Sequence, residues 1–280
     1  MVNYNGQIVD DSALYLNGNN RGLLYGDALF ETLRVVDGRL IFWEDHYLSL
    51  MSSMRILRME IPMSFTMEFL EEQILMLLPG EQKNNSTKIR ITVYRNQGGF
   101  YRPESNEVSY IISADLLANP YYILNEDSYE VELFKDFTVS KNMLSNLKTN
   151  NRILNVVGSI YAKENGYQNC LMLNDSKSVV EALNGTIFTV KDNVIKTPPI
   201  EDGCIKGITR KKILDILHKI DTYECLEESI SPFELQQADE LFITNSIKGI
   251  QPISKYRKKT FGNTVARDIL GKLNAAARFN

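Results

Sequence analysis

Apolar positions along this chain follow two rhythms. TKIRITVYRN (87–96), EVSYIISADLL (107–117) and VELFKDFTV (131–139) are short runs rich in β-branched and aromatic residues, which predicts strands. EDHYLSLMSSMRILR (44–58) is amphipathic at helical spacing. Glu44 and Asp45 suit its start and Arg55 and Arg58 its end, as the helix dipole favours. Asn5-Gly6 and Asp37-Gly38 are hairpin signals, the second joining ETLRVV to RLIFW. A second helix is predicted over 65–78, closed by Pro79-Gly80, and a Gly98-Gly99 turn separates the strands at 87–96 and 107–117. ANPYYIL (118–124) breaks the pattern and marks a crossover between domains.

Beyond the crossover, Ile153, Val156, Val157 and Ile160 recur at helical spacing, which predicts one buried face, and Gly166 is placed to end that helix in a left-handed turn. Lys148 therefore stands at a strand-to-helix junction, where a side chain can point into a cleft while the backbone is held. NCLMLND and SVVEALNGTIFTVKDNVIKTPP predict strands, with a turn at Asp192-Asn193. GITRKKILDILHKI predicts a helix, SPFELQQAD a shorter one begun by Ser231-Pro232, ELFITNSIKGIQPI a strand running into a loop, and 264–277 a final helix. The layout is α+β: a small N-terminal domain at 1–117, a connection at 118–124 and a larger domain at 125–280 that carries Lys148.

Composition narrows the possibilities. A chain of 280 residues can form two domains, and 44% hydrophobic with 24% charged residues is ordinary for a globular protein. A net charge of -4 points away from a nucleic-acid surface. No apolar run approaches the roughly 20 residues that cross a bilayer. MVNYNGQIVDD has neither the charged nor the apolar region of a secretory signal. Cys170, Cys204 and Cys225 are odd in number and widely spaced, which fits neither a disulfide framework nor a zinc site and predicts a reducing cytoplasm. With only His46 and His218, histidine catalysis and metal binding have little material, and no metal is expected. His46, early in its helix, is expected to pack or cap, and Met54, Leu57 and Met59 to lie in the core.

Four features belong to one chemistry. Lys148 offers an amine. Glu181 lies in a strand where its charge needs a partner if buried. Gly207-Ile208-Thr209 opens a helix, where free amides and the dipole make an anion seat. Thr244-Asn245-Ser246 brings short polar groups to a strand end, followed by Lys248 and Gly249. An amine, a carboxylate and two phosphate seats are what a phosphorylated pyridine aldehyde requires.

The order of RGLLYGDALFETLRV, NLKTNNR, EALNGTIF, GCIKGITRKKIL and ADELFITNSIKGIQPI resembles the class IV aminotransferases, the fold-type IV pyridoxal-phosphate enzymes, over nearly the whole chain. That family includes branched-chain aminotransferases, D-amino-acid aminotransferases and aminodeoxychorismate lyases. The resemblance implies the two-domain fold of the D-amino-acid aminotransferase type, with pyridoxal 5'-phosphate between the domains, and a homodimer in which a partner loop completes each site. It makes Lys148 the Schiff-base lysine and Glu181 the partner of the pyridine nitrogen. Ile208, Thr209, Asn245 and Ser246 fall at the phosphate, and Phe30, Arg95, Tyr101 and Arg102 among the substrate contacts. The function implied is transfer of an amino group from a small amino acid, branched-chain ones included, to a 2-oxo acid. NLKTNNR and ITVYRNQGGFYRP resemble aminodeoxychorismate lyases, which release pyruvate in 4-aminobenzoate and folate synthesis, so that activity stands as the alternative. No Arg-x-His pair follows the strand that ends in Arg95, which argues against the D-amino-acid branch. A non-catalytic cofactor-binding scaffold is a third reading, against which the presence of both Lys148 and Glu181 argues.

One position departs from the family pattern. Where the resemblance implies a phosphate-binding arginine three residues after His46, this chain has Ser49. Serine gives one neutral hydrogen bond where arginine gives a charged fork. Lys206 and Lys248, which flank the two phosphate loops, are the candidate replacements. Ser49→Arg is then expected to tighten cofactor binding, measured as a lower dissociation constant for pyridoxal phosphate; an unchanged constant contradicts this.

Overall fold

A computed structural model describes residues 1–13, 16–78 and 86–279. The chain forms two compact units, Met1–Tyr121 with Lys148–Asn151, and Tyr122–Leu147 with Arg152–Asn280.

The first unit contains β1 (Val2–Tyr4), β2 (Gln7–Val9), α1 (Arg21–Tyr25), β3 (Ala28–Val36), β4 (Arg39–Leu40), α2 (Trp43–Ile56), α3 (Met67–Leu75), β5 (Ser86–Arg95) and β6 (Val108–Leu117). Its strands form one antiparallel sheet in the order β2-β1-β6-β5-β3-β4. Both expected hairpin turns are present. Asn5 and Gly6 lie at φ 50° and 87°, Asp37 and Gly38 at 49° and 76°, the left-handed pairs that a two-residue turn between right-twisted strands demands. The run RLIFW does not stay extended. β4 stops at Leu40, Phe42 turns at φ 56°, and Trp43 already begins α2. Ile41, Phe42 and Trp43 are all buried, so no alternating face marks a strand there. Thr66 caps α3 by accepting from the Phe69 amide at 3.2 Å. The expected stop at Pro79-Gly80 lies outside the described residues.

β3 and β5 pair over nine positions, from Ala28↔Tyr94 to Val36↔Ser86. Leu29, Leu33, Val35, Ile89, Ile91 and Val93 fill the buried face, while Phe30, Thr32, Arg90 and Thr92 are half-buried on the other. The free edge of β3 before β4 takes a further extended segment. Phe30 N–H donates to the Lys148 carbonyl at 2.8 Å, Asn150 N–H donates to Ala28 at 2.9 Å, and Leu29 bridges Thr149. This backbone pairing groups Lys148–Asn151 with the first unit, where the sequence placed Lys148 in the second domain.

The second unit contains β7 (Glu130–Val139), α4 (Ile153–Glu164), β8 (Asn169–Asn174), β9 (Val179–Ala182), β10 (Thr186–Lys191), β11 (Val194–Thr197), α5 (Ile208–Leu217), β12 (Glu224–Glu227), β13 (Glu240–Asn245), β14 (Gly249–Ile253), β15 (Lys255–Tyr256), β16 (Lys259–Thr260) and α6 (Thr264–Arg278). Two five-stranded sheets run β12-β11-β10-β13-β14 and β16-β15-β7-β8-β9. They share a core that joins Val131, Leu171, Leu173 and Val179 of one sheet to Ile187, Leu241, Ile243 and Ile253 of the other. β8 is buried on both faces, because Cys170 and Met172 turn to a second cluster beneath α4.

The second unit departs from the sequence expectations in three places. On α4 the packed side is Leu154, Val157, Tyr161 and Ala162, while Ile153, Val156 and Ile160 are 66%, 51% and 51% exposed. The helix is apolar around most of its circumference, so spacing alone does not choose a face. SPFELQQAD forms only a 3-10 turn at Glu234–Gln236. The run expected as strand and loop is a hairpin, β13 to β14, paired from Leu241↔Ile253 to Asn245↔Gly249. Gly249 makes its turn possible at φ 70°. The Tyr122 ring lies against Gly249, so that a Cβ there would meet the ring at 2.7 Å. Tyr122 is itself pinned by paired hydrogen bonds with Asn274, at 3.0 and 2.9 Å, and its hydroxyl donates to the Ser246 carbonyl at 3.2 Å.

Gly249→Ala is therefore expected to destabilise the protein by roughly 1–3 kcal/mol, combining left-handed backbone strain with overpacking against Tyr122. Urea unfolding checks this, and a midpoint equal to that of the parent protein contradicts it.

Candidate active site

Lys148 is placed by the edge of β3, and its amine meets a buried carboxylate. Lys148 Nζ donates to Glu31 Oε2 at 2.6 Å, with side-chain exposures of 17% and 2%. His46 Nδ1 lies 2.8 Å from the same oxygen, and Ser49 Oγ donates to Glu31 Oε1 at 2.8 Å. Both partners come from α2, one turn apart, so they present to the same side. Burial, the largest effect on Glu31, works against its charge. The nearby Lys148 ammonium and the His46 and Lys148 hydrogen bonds outweigh it and bring the carboxyl down to about 2. Burial depresses His46, so the ring is neutral at pH 7 and serves Glu31 as an N–H donor. Sequence reasoning missed Glu31. The signal was in ALFETLRVV, where the acid occupies the buried register between Leu29 and Leu33.

The second unit holds the other candidates. Glu181, on β9, is 4% exposed and accepts from the Ile205 amide at 3.0 Å. Burial pushes its carboxyl up to about 7, against the pull of that amide and of the Arg152 charge. Arg152 also donates to the Leu147 carbonyl. Asn146 Nδ2 donates to the carbonyls of Ile200 and Cys204 at 2.9 and 2.7 Å, and the Lys206 amide donates to the Asn146 carbonyl at 3.2 Å. The residues flanking 148–151 in sequence are thus anchored on both sides. Ile208 and Thr209 are the first residues of α5, whose N-cap, Gly207, brings no side chain to its opening amides. Thr209 Oγ1 lies 3.5 Å from Ser246 Oγ, which brings those two candidates together. The Asn245 side chain serves its own turn instead. It accepts from the Ile247 and Lys248 amides at 3.0 and 2.9 Å and donates to the Asn184 carbonyl at 3.1 Å. Lys206 and Lys248 are exposed, and Ser49 bonds Glu31.

The expected substrate contacts separate. Arg95 is 6% exposed, and its Nε pairs with Asp27 at 3.0 Å while its other nitrogens reach the carbonyls of Leu57 and Arg58 and the Asn106 side chain. Arg21 pairs with the same Asp27 and donates to the carbonyls of Gly98 and Phe100 at 3.0 and 2.6 Å, which pins the following loop. Arg95 is therefore a structural clamp, because each nitrogen of its guanidinium donates to an acceptor of the protein. Tyr101 is 90% exposed, and Arg102 is also exposed. Phe30 lies beneath the half-buried Arg90, whose guanidinium stands 3.8 Å from the ring centroid and donates to Asn150 Oδ1 at 3.3 Å. Arg90 is a cation beside the Lys148 segment that the sequence reading passed over as an ordinary strand residue. Among the described residues, no three His, Cys, Asp or Glu side chains gather as a metal site.

The model of the amino-transferase class IV family matches residues 28–256. A Methanocaldococcus jannaschii protein provisionally named a branched-chain-amino-acid aminotransferase is 30% identical over 273 residues, 96% of this chain and 92% of that protein. The aminodeoxychorismate lyase of Vibrio harveyi is 24% identical over 237 residues, 84% of this chain and 85% of its own. Among solved structures, a T.th. branched-chain amino acid aminotransferase with pyridoxamine 5'-phosphate has a TM-score of 0.87 at 22% identity, covering 100% of this chain and 94% of its own.

The raised carboxyl of Glu181 makes a pH prediction. A group whose folded value of about 7 exceeds its ordinary 4.5 contributes stability that is complete below 4.5 and is lost as pH rises through about 7. Without cofactor, the parent protein should lose roughly 3 kcal/mol relative to Glu181→Gln between pH 4 and pH 8. Urea midpoints of the two proteins across that range check it, and parallel profiles contradict it.

Proposed function

Because the chain belongs to the amino-transferase class IV family, we propose that it is a pyridoxal 5'-phosphate-dependent transaminase moving an amino group from a small amino acid, branched-chain ones included, to a 2-oxo acid. The observation that carries this reading is the pairing of residue types with what such a cofactor needs. The amine of Lys148 is held by Glu31, and Glu181 is a buried carboxyl for which ionisation is costly. A protonated ring nitrogen at Glu181 compensates the charge that burial opposes, so the residues present fit the group. When bound, pyridoxal phosphate supplies an aldehyde for amines and a ring that withdraws electrons from the substrate α-carbon.

The chain's own residues then divide the work. Lys148 would hold the cofactor through Nζ, and the same amine, when free, would take and return the proton at the substrate α-carbon. Glu181 would face the ring nitrogen and favour its protonated form. The opening amides of α5 at Ile208 and Thr209, with the hydroxyls of Thr209 and Ser246, bind phosphate oxygens. Tyr122 and Gly249 fix the turn that carries Ser246. Arg90, rather than Arg95, meets the substrate carboxylate, because Arg95 is enclosed by Asp27 and backbone carbonyls while Arg90 is half-buried over Phe30. We assign the active form to a homodimer in the cytoplasm. Three free cysteines support a reducing compartment, and exposed Leu23, Leu24, Phe100 and Tyr101 support a partner surface.

A second reading is aminodeoxychorismate lyase, favoured by the Vibrio harveyi relative and by the run NLKTNNR around the lysine. Leucine with 2-oxoglutarate, and separately aminodeoxychorismate, decide between the two. Glutamate from the first supports the transaminase. Pyruvate from the second, with no glutamate from the first, overturns it. Lys148→Ala should lower either activity by at least about 10³-fold, and Arg90→Ala should raise KM for the amino acid about tenfold. An Arg90→Ala enzyme with unchanged KM removes Arg90 from the substrate site.

A further inference from the structure

We propose that Glu31 is the positioning residue for Lys148: a buried carboxylate, itself fixed by His46 and Ser49, that carries the amine's counter-charge whenever the amine is not engaged and so sets the point from which Nζ acts. The inference deepens the transaminase reading and rests on it for its catalytic meaning.

The geometry is that of a held base with a fixed orienter. Glu31 Oε2 receives Lys148 Nζ at 2.6 Å and the His46 ring at 2.8 Å, and Oε1 receives Ser49 Oγ at 2.8 Å. Three donors on two oxygens leave the carboxylate little freedom to rotate away. Its own backbone is locked in the β3–β5 ladder at Glu31↔Ile91. His46 is 1% exposed and Glu31 2% exposed, so water does not compete for their hydrogen bond. The lysine is different: its side chain is 17% exposed, so one end of the ion pair is buried and the other is reachable.

That asymmetry defines the role. An ammonium is not a nucleophile: Nζ must leave Glu31 and give up a proton to solvent before its lone pair can attack a carbonyl carbon. When Nζ is released to carry a proton, the carboxylate is the fixed point to which the charged amine returns. A buried acid without Lys148 retains only two neutral donors, which compensate its charge less well. Glu31 and Lys148 are therefore coupled: each is tolerable in its place because of the other.

The test uses the cofactor-free protein, so that it does not depend on the reaction. Lys148 is acylated with dilute acetic anhydride at pH 8, and its rate is read by peptide mass spectrometry against Lys88, a surface lysine paired with Asp115 in the same molecule. Glu31→Gln should raise the Lys148-to-Lys88 rate ratio about tenfold, equivalent to removing one charge partner. Glu31→Asp keeps the charge but withdraws it by one methylene, so it should raise the ratio as well and serves if the glutamine variant does not fold. Lys148 is less exposed than Lys88, so unfolding would also raise the ratio, and the variants are compared only where circular dichroism and the urea midpoint show them folded. In the loaded enzyme, Glu31→Gln should lower kcat while KM for the amino acid stays within about twofold, as expected when positioning rather than binding is lost. An unchanged ratio in a folded Glu31 variant overturns the proposal. A raised ratio in a protein that transaminates no amino acid preserves the Glu31–Lys148 coupling and removes the transaminase reading instead.

Discussion

Two backbone hydrogen bonds on the edge of β3 decide where the amine of Lys148 stands. The segment from Lys148 to Asn151 is short and has no core of its own, so it takes its position from the strand it joins. Phe30 and Ala28 supply the ladder partners, and Glu31, the next residue along β3, receives the amine. The strand that orients the lysine backbone thus also supplies the charge that holds its side chain. The register Leu29↔Val93 and Glu31↔Ile91 matters for that reason, since slipping it by one residue would turn Glu31 to the opposite face.

The two buried glutamates show how environment assigns different tasks to one residue type. Each is almost fully removed from water, and burial is the largest influence on both. Glu31 faces an ammonium and two further donors, and its charge is secure. Glu181 has one backbone amide and a more distant arginine, and its charge is not. A carboxyl left near neutrality in this way favours a cationic or N–H-bearing partner, while one already compensated is better suited to holding what is beside it.

The turn between β13 and β14 is built with the same sparing use of parts. Asn245 folds its side chain over its own turn, Gly249 takes the left-handed conformation, and Tyr122 covers the glycine while bonding Ser246. The Ser246 and Thr209 hydroxyls lie 3.5 Å apart, and α5 begins with a glycine that brings no side chain to its opening amides. Asn245, Gly249 and Tyr122 restrict the backbone of the turn, while the Ser246 and Thr209 hydroxyls stand side by side.

Much of this was legible in the chain itself. The strands at 87–96, 107–117 and 131–139, the helix at 44–58 and the hairpin turns at Asn5-Gly6 and Asp37-Gly38 follow from local patterns, because period and turn chemistry are properties of neighbouring residues. So did the family, since five motifs in fixed order are sequence information, and with it the candidacy of Lys148 and Glu181. The tertiary structure alone decided which face of α4 packs, because an apolar circumference carries no preferred direction until Leu183 and Phe134 supply a surface. It alone separated Arg95 from Arg90: both are arginines of one strand, and only the Asp27 carboxylate and the carbonyls around Arg95 distinguish a clamp from a cation beside the Lys148–Asn151 segment. Glu31 lies between the two cases. Its buried register was written in the alternation of β3, but its partners come from residues 15, 18 and 117 positions away, and contacts at such separations exist only once the chain has folded.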